Sequence, residues 1–156
     1  MKPIIVEASA VIPAPAQTIY DVLADYREGH PAILPQPYFR ELVVEKGGHG
    51  AGTIVRVVME VMGIKQEYRM LVSEPEPGRV LVEEDADAGV TTTFTVEPRS
   101  DGEGSLVTIA TVSRPSPGLM GVVERLINPP VARRIYQKEL AQLASYAGSL
   151  QAVGAT

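Results

Sequence analysis

The feature that most constrains this chain is a long apolar stripe near its C-terminus, within Pro115–Gly148. Apolar side chains recur there at helical spacing, first over Leu119–Ile127 and again over Ile135–Ala147. Ser116 followed by Pro117 predicts the start of a helix, because serine is a good N-cap and proline is tolerated at the first helical position. Burial is worth about 1.5 to 3 kcal/mol for each of roughly ten such side chains. Another layer of structure must therefore cover the stripe.

Two consecutive prolines, Pro129 and Pro130, interrupt this stripe. Proline lacks a backbone donor and clashes with the preceding turn, so we expect a kink or a short break there, with Asn128 capping the second segment. Gly148 is predicted to end the helix. Residues 151–156 are then expected to form a disordered tail.

Upstream of the stripe, the apolar pattern changes to the two-residue period of β-strands. The first predicted strand is Ile4–Ile12, which a proline-rich turn ends before a short helix over Ala16–Ala24 and a further helical turn within Arg27–Leu34. Six more strands are predicted, separated by short turns: Tyr38–Lys46, Thr53–Val61, Ile64–Ser73, Arg79–Asp85, Val90–Glu97 and Ser105–Ser113. The expected fold class is α+β, with a curved seven-stranded antiparallel sheet wrapped around a long C-terminal helix.

Composition narrows the classes of function. A chain of 156 residues, 45% hydrophobic and 21% charged, fits one globular domain. Its net charge of −5 argues against nucleic acid or an anionic membrane as the main partner. The chain has no cysteine, which excludes disulfides, thiolate metal ligands and a cysteine nucleophile. No run approaches the roughly 18 apolar residues that a membrane span needs, so we expect a cytoplasmic protein without stable membrane insertion.

Several short motifs occur in a characteristic order along the chain. They are the Ile12-Pro13-Ala14-Pro15 stop before Ile19–Leu23, Asp25-Tyr26 followed by Pro31 and Pro35, Gly52-Thr53, Val72–Pro77 before Arg79–Leu81, and the closing helix. In this order the chain resembles the START-like, helix-grip superfamily, and within it the SRPBCC polyketide cyclase/dehydrase and lipid-transport group. The resemblance covers Ile4–Gly148 and implies one START-like domain over residues 1–150, with a cavity between the sheet and the long helix.

Period-two alternation nominates the side chains that line this cavity. They are Val55, Val57, Met59, Gln66, Tyr68, Met70, Thr92, Phe94 and Ile109 on the strands, joined by Val123 and Ile127 on the helix. Gln66 and Tyr68 are the polar candidates for orienting a ligand oxygen, although a backbone group or a buried water can equally satisfy them. Met59, Met70 and Phe94 suit a pliable pocket and suit an ordinary core equally well.

The remaining polar groups carry weaker indications. His30 and His49 fall in separate predicted loops, with His30 expected on the loop surface, and Glu83 and its acidic neighbours are typical of a solvated strand end. No metal site and no cofactor are therefore expected. Strands flank Gly47–Gly52 on both sides, which favours a flexible hairpin over a phosphate-binding loop. A basic patch on the long helix fits either a solvated face or contact with an anionic head group or acidic partner; it comprises Arg125, Arg133, Arg134 and Lys138.

Three hypotheses about function follow. The first is a non-catalytic binder or carrier of a small hydrophobic molecule, such as a lipid, an isoprenoid or an aromatic polyketide-like compound. The second is a polyketide cyclase or dehydratase in which Tyr68 donates a proton, and this requires an ionisable partner within hydrogen-bond reach of Tyr68. The third is a protein-interaction module with a collapsed cavity. The sequence neither distinguishes a monomer from a homodimer nor identifies the ligand, because apolar pockets discriminate weakly.

Overall fold

The computed structural model describes residues 2–154, apart from the side chains of residues 119–120, 122–123, 125–127 and 152–154. Its elements are β1 (Ile4–Ile12), α1 (Ala16–Ala24), α2 (Gly29–Ile33), β2 (Phe39–Lys46), β3 (Ile54–Val61), β4 (Ile64–Glu76), β5 (Val80–Asp85), β6 (Val90–Pro98), β7 (Ser105–Ser113) and α3 (Leu119–Gly154). Each predicted element is present, and β1, α1 and β7 have the predicted bounds.

The strands form one seven-stranded antiparallel sheet over the described residues, in the order β1-β7-β6-β5-β4-β3-β2. Strands β2 to β7 follow one another as the predicted meander, and β1 closes onto the far side of β7. The predicted α+β, helix-grip architecture is confirmed. Among the described residues, no helix is long and apolar enough to cross a membrane.

The core lies between α3 and one face of the sheet, which we call the inner face. Leu140 and Leu143 of α3 are buried in one cluster with side chains from the sheet and from α1. The predicted alternation agrees with the burial of the inner strand positions, which include Val55, Val57, Met70, Phe94 and Ile109. The outer face keeps exposed apolar side chains, such as Ile5 and Val112, which pair across β1 and β7.

Helix α3 begins two residues later than predicted. Ser116 does not cap it; instead, its backbone N–H and Oγ donate to the Glu124 carboxylate, at 2.8 and 2.6 Å. Gly118 has a φ of +76°. A left-handed residue cannot belong to a right-handed helix, so α3 starts at Leu119.

Helix α3 is also longer and less interrupted than predicted. It runs without a break through Pro129 and Pro130 and past Gly148 to Gly154. Of the expected kink or short break, the break does not occur, Asn128 caps no second segment, and the expected end at Gly148 was wrong. The missing proline donors weaken the helix locally, but the buried side chains of the following turns hold it against the sheet. A helical glycine costs only about 0.5 to 1 kcal/mol relative to alanine, which does not end a helix of this length.

The glycine-rich turn Gly47–Gly52 joins β2 to β3, as the hairpin prediction required. It is tied to the end of α1 by two backbone hydrogen bonds, from Tyr26 N to Gly48 O and from Gly50 N to Ala24 O, both at 2.9 Å. The turn therefore packs against α1 and fixes the chain that leads into α2.

Candidate functional site

A row of three polar side chains crosses the inner face of the sheet. Glu83 of β5 pairs directly with Thr92 of β6, and Thr92 pairs with Thr111 of β7. All three are buried. On one side of these three residues the adjacent inward positions are apolar, Leu81 on β5, Phe94 on β6 and Ile109 on β7. The polar row, as we call these three residues, therefore borders a mainly apolar part of the inner face.

The chain between α1 and α2 brings two aromatic side chains to the Glu83 end of the polar row. The Asp25 carboxylate accepts backbone hydrogen bonds from Arg27 and Glu28 at 3.1 and 3.2 Å, which bends the chain sharply after α1. At Gly29 a Cβ atom would lie 2.5 Å from the Val22 carbonyl oxygen, so only glycine lets α2 pack this closely on α1. This turn directs Tyr26 and His30 into the interior.

Tyr26 and His30 both contact the same oxygen of Glu83. The Tyr26 hydroxyl donates to Glu83 Oε1 at 2.6 Å, and His30 Nε2 lies 3.3 Å from that atom. His30 Nδ1 lies 2.8 Å from the Leu23 carbonyl oxygen, which can only accept, so Nδ1 carries a proton and Nε2 faces the Glu83 carboxylate. Burial and the nearby Glu83 raise the pKa of Tyr26 well above its usual value, so its hydroxyl remains a donor.

The other end of the polar row meets α3. The Thr92 and Thr111 hydroxyls lie 2.8 Å apart, and Thr111 also hydrogen-bonds the Tyr136 hydroxyl. Burial raises the pKa of Tyr136 to about 12. At physiological pH this phenol is therefore protonated, and three hydroxyl groups form a connected chain across β6, β7 and α3.

Glu139 lies on α3 one turn after Tyr136 and is only 3% exposed. No described residue donates a hydrogen bond or offers a cation to its carboxyl group. Burial, and secondarily the charge of Glu83, raise the pKa of Glu139 to about 8. Near pH 7 the protein thus holds a mostly neutral carboxylic acid beside the polar row, and such a group can donate or accept a proton.

The predicted cavity residues differ in how deeply they are buried. Val55, Val57, Met70, Thr92, Phe94 and Ile109 are buried, Met59 and Tyr68 are partly buried, and Gln66 is exposed. The Tyr68 hydroxyl donates to Gln66 Oε1 at 2.5 Å. The side chains of Val123 and Ile127 lie outside the described residues. A ligand cavity lined by this set remains a prediction.

Described residues also line two hollows away from the polar row. One, of about 430 Å³, lies where the β5–β6 turn meets the end of β7, and its lining includes Asp85, Gly89 and Arg114. The other, of about 340 Å³, lies between the β1–α1 turn and the β6–β7 turn, beside Pro15 and Gly102. Neither hollow is lined by a predicted cavity residue. The two hollows are therefore separate from the predicted cavity.

Sequence reasoning nominated Thr92 as a site residue and missed the other members, among them His30, Glu83 and Glu139. His30 and Glu83 are buried, so their expected places on a loop surface and a solvated strand end were wrong. Glu83 stands two positions after Leu81, and this alternation was the signal that it faces inward. Glu139 similarly follows Ile135 by one helical turn, on the buried stripe of α3. His30 had no comparable signal, because the turn between α1 and α2 alone brings it inside.

Comparison with known proteins supports this architecture. A family model described as polyketide cyclase / dehydrase and lipid transport matches residues 3–148. The Zhui aromatase/cyclase from Streptomyces sp. R1128 superimposes with a TM-score of 0.72 at 19% identity, over 94% of each chain. The protein TTHA0849 from Thermus thermophilus gives 0.76 at 23% identity, over 94% of this chain and 98% of its own. The KanY protein gives 0.82 at 23% identity, over 95% and 99%. Among curated proteins, none matches the chain.

Proposed function

This chain belongs to the polyketide cyclase/dehydrase and lipid transport family, and we propose that it binds a small, mainly apolar molecule carrying neutral oxygen groups. The observation that carries this proposal is the polar row of Glu83, Thr92 and Thr111 on a mainly apolar inner face. Ligand sites commonly combine an apolar wall with a few placed polar groups that fix orientation.

The apolar part of the site is the section of the inner face that is incompletely covered. Met59, Tyr68 and Val90 are each only partly buried, although they stand on the face that packs against the core cluster. Covering apolar surface gains about 25 cal/mol per Å², so a ligand that covers about 200 Å² gains about 5 kcal/mol before the costs of binding. Apolar contact would therefore supply most of the affinity.

The polar part of the site restricts the class of ligand. The Tyr136 hydroxyl and the mostly protonated Glu139 are neutral near pH 7 and can donate to a carbonyl or hydroxyl oxygen. A ligand carboxylate would instead bring a second negative charge close to Glu83. The described residues around the polar row do not offer cations for both carboxylates. These groups favour a ketone, quinone or phenol over a fatty acid. The description of Zhui, a structural neighbour, as an aromatase/cyclase supports an aromatic polyketide-like compound.

Native mass spectrometry of the purified protein, followed by solvent extraction, tests the binding proposal. We expect a stoichiometric apolar compound, or a rise in Tm with 2-naphthol or menadione that exceeds the rise with palmitate. Met59→Glu, on the inner face, should abolish either signal. Leu71→Glu, at an exposed outer position on the neighbouring strand β4, is the matched control and should retain it. A protein that co-purifies with nothing and responds to none of these compounds would refute the proposal.

A second candidate function, cyclisation or dehydration of a polyketide-like substrate, is favoured by the Glu139 carboxyl. A pKa of about 8 suits a group that protonates a departing hydroxyl or removes a proton next to a carbonyl. Our initial hypothesis assigned proton donation to Tyr68. Among the described residues its hydrogen-bond partner is the Gln66 amide, and burial raises the pKa of Tyr68, which makes it a weaker acid. We therefore propose Glu139, and not Tyr68, as the proton donor.

The enzyme candidate is tested with a synthetic poly-β-ketone thioester and detection of cyclised product by mass spectrometry. Glu139→Gln should reduce kcat strongly while leaving KM little changed, because glutamine keeps the shape of the acid but has no proton to transfer. Tyr68→Phe should retain most of the activity. Equal rates for the wild type and Glu139→Gln would eliminate Glu139 as the acid, while the binding proposal would stand on its own test.

A further inference from the structure

The turn between β3 and β4 places large apolar side chains in water. Met62 and Ile64 are 74% and 65% exposed, the two highest values among the exposed large hydrophobic side chains described. Met62 has a φ of +53°, in the left-handed region that Asn or Gly occupies more readily in a two-residue hairpin turn. A methionine is therefore held in an unfavourable backbone conformation at a position where most of its side chain is exposed to water. We call Met62–Ile64 the hairpin tip.

A basic face of α3 lies beside the hairpin tip. Arg134 and Lys138 are exposed and one helical turn apart, and the neighbouring Arg133 is also exposed. The Lys138 ammonium is 5.1 Å from the centre of the Tyr38 ring. None of the three cations forms an ion pair with a carboxylate among the described residues, so they remain available to an external partner.

The Tyr38 residue beneath the Lys138 ammonium is connected to the hairpin tip through the backbone. The Tyr38 carbonyl accepts a hydrogen bond from Glu60 N at 2.8 Å, and Glu60 pairs with Lys65 across β3 and β4. Met62 is two residues beyond Glu60, and a strand advances about 3.3 Å per residue. The basic face and the apolar tip are therefore neighbouring parts of the molecule, and the exposed Lys65 directly follows the tip on β4.

Most of the carboxylate charge near this surface is paired with arginine, and the Glu41–Arg56–Glu67 group keeps one uncompensated negative charge. Glu60 pairs with Arg40 at 3.0 Å. One row further along the strands, Arg56 lies between Glu41 and Glu67, at 3.0 and 3.5 Å. This leaves Lys65, Arg133, Arg134 and Lys138 as an excess of positive charge. The net charge of −5 is a property of the whole chain and does not describe this end of the molecule.

We propose that the hairpin tip and the basic face of α3 dock this protein on an anionic lipid bilayer. Met62 and Ile64 would enter the boundary between head groups and acyl chains, while the four cations contact the lipid phosphates. An apolar tip bordered by flexible basic side chains suits this interface, because lysine and arginine can reach the head groups while their stems remain in contact with apolar surface. The proposal goes beyond ligand binding and stands whether or not the inner face holds a ligand.

The chain contains no tryptophan, so Met62→Trp introduces a single fluorescent reporter into the full-length protein. Vesicles of phosphatidylcholine with and without phosphatidylglycerol are the probes. We expect a blue shift of the emission, and sedimentation of the wild-type protein with the vesicles, only when phosphatidylglycerol is present. Both signals should fall as salt is added, because the attraction to the surface is electrostatic.

Two double variants test the two parts of the surface separately. Met62→Asp with Ile64→Asp, and Arg134→Glu with Lys138→Glu, should each weaken vesicle binding by about tenfold or more. All four side chains are exposed, so the variants should keep the wild-type circular dichroism and Tm. Leu71→Asp, an exposed apolar position elsewhere on β4, is the matched control.

Equal binding to vesicles with and without phosphatidylglycerol, or no binding to either, would overturn the proposal. The same holds if Leu71→Asp weakens binding as much as the tip variant does. Tip-dependent self-association in analytical ultracentrifugation, without vesicle binding, would instead assign the surface to a contact between copies of the chain.

Discussion

Replacing Glu139 with glutamine removes an acid from the interior without changing its shape, and we expect the variant to be more stable than the wild type near neutral pH. Burial raises the pKa of Glu139 from the ordinary 4.5 to about 8. The folded protein therefore holds this proton at pH values where the unfolded chain has released it. The contribution of Glu139 to stability is therefore fully present at pH values below its pKa in the unfolded chain. It is lost as the pH rises through its pKa in the folded protein.

The size of the effect follows from the separation of the two pKa values. One pKa unit corresponds to about 1.36 kcal/mol, so the full cost of burying the ionised form, above pH 8, is about 5 kcal/mol. At pH 7 Glu139 is still mostly protonated in the folded protein, whereas it is ionised in the unfolded chain. Keeping this proton lowers the free energy of unfolding by about 3 kcal/mol relative to low pH. For a chain of this length, each kcal/mol shifts the Tm by about 2 to 4 °C.

Urea unfolding of wild type and Glu139→Gln, at several pH values from 4 to 9, measures this difference. The two free energies of unfolding should converge near pH 4 and separate progressively to pH 8 and above. Glu7→Gln changes an exposed carboxyl and should reproduce the wild-type curve. Parallel curves for wild type and Glu139→Gln across this range would mean that the Glu139 carboxyl ionises freely in the folded protein, and the reasoning would be wrong.

Three further substitutions test local features by urea unfolding. Gly29→Ala should destabilise the protein by about 1 to 3 kcal/mol, because the new Cβ would lie 2.5 Å from the Val22 carbonyl oxygen. A variant as stable as the wild type would show that α2 can shift away from α1 without cost. Gly148→Ala should stabilise by about 0.5 to 1 kcal/mol, because no atom lies within 4 Å of the new Cβ and alanine is the better helix former; a loss would indicate that α3 ends before this residue. Tyr26→Phe should cost about 1 to 3 kcal/mol, because Glu83 loses its donor at 2.6 Å, and a neutral outcome would mean that His30 alone satisfies Glu83.

The fold was predictable because its information is local and periodic. Alternation over the strands and the helical stripe of α3 determine which faces are buried, and turn residues determine where elements end, as the bounds of β1 and β7 illustrate. Local rules failed where packing overrides them, as at Pro129 and Pro130, which lie inside a continuous helix.

The candidate site was less predictable because it joins distant parts of the chain. Glu83 faces inward by its alternation with Leu81, yet its acidic neighbours made it resemble a solvated strand end. His30 reaches Glu83 only through the turn that Asp25 and Gly29 make possible. Contacts of this kind depend on tertiary structure that no short stretch of sequence encodes.

The polar row also bears on how the strands find their partners during folding. A shift of one residue between strands is excluded by alternation alone, because it would turn every apolar side chain to the outer face. A shift of two residues preserves the facing of every side chain, and hydrophobic patterning does not oppose it. Such a shift would place the Glu83 carboxyl beside Phe94 and would separate the Thr92 and Thr111 hydroxyls, which leaves buried polar groups without partners. The groups that we propose orient a ligand would thus also distinguish the native strand alignment from its nearest competitor, before any ligand is present.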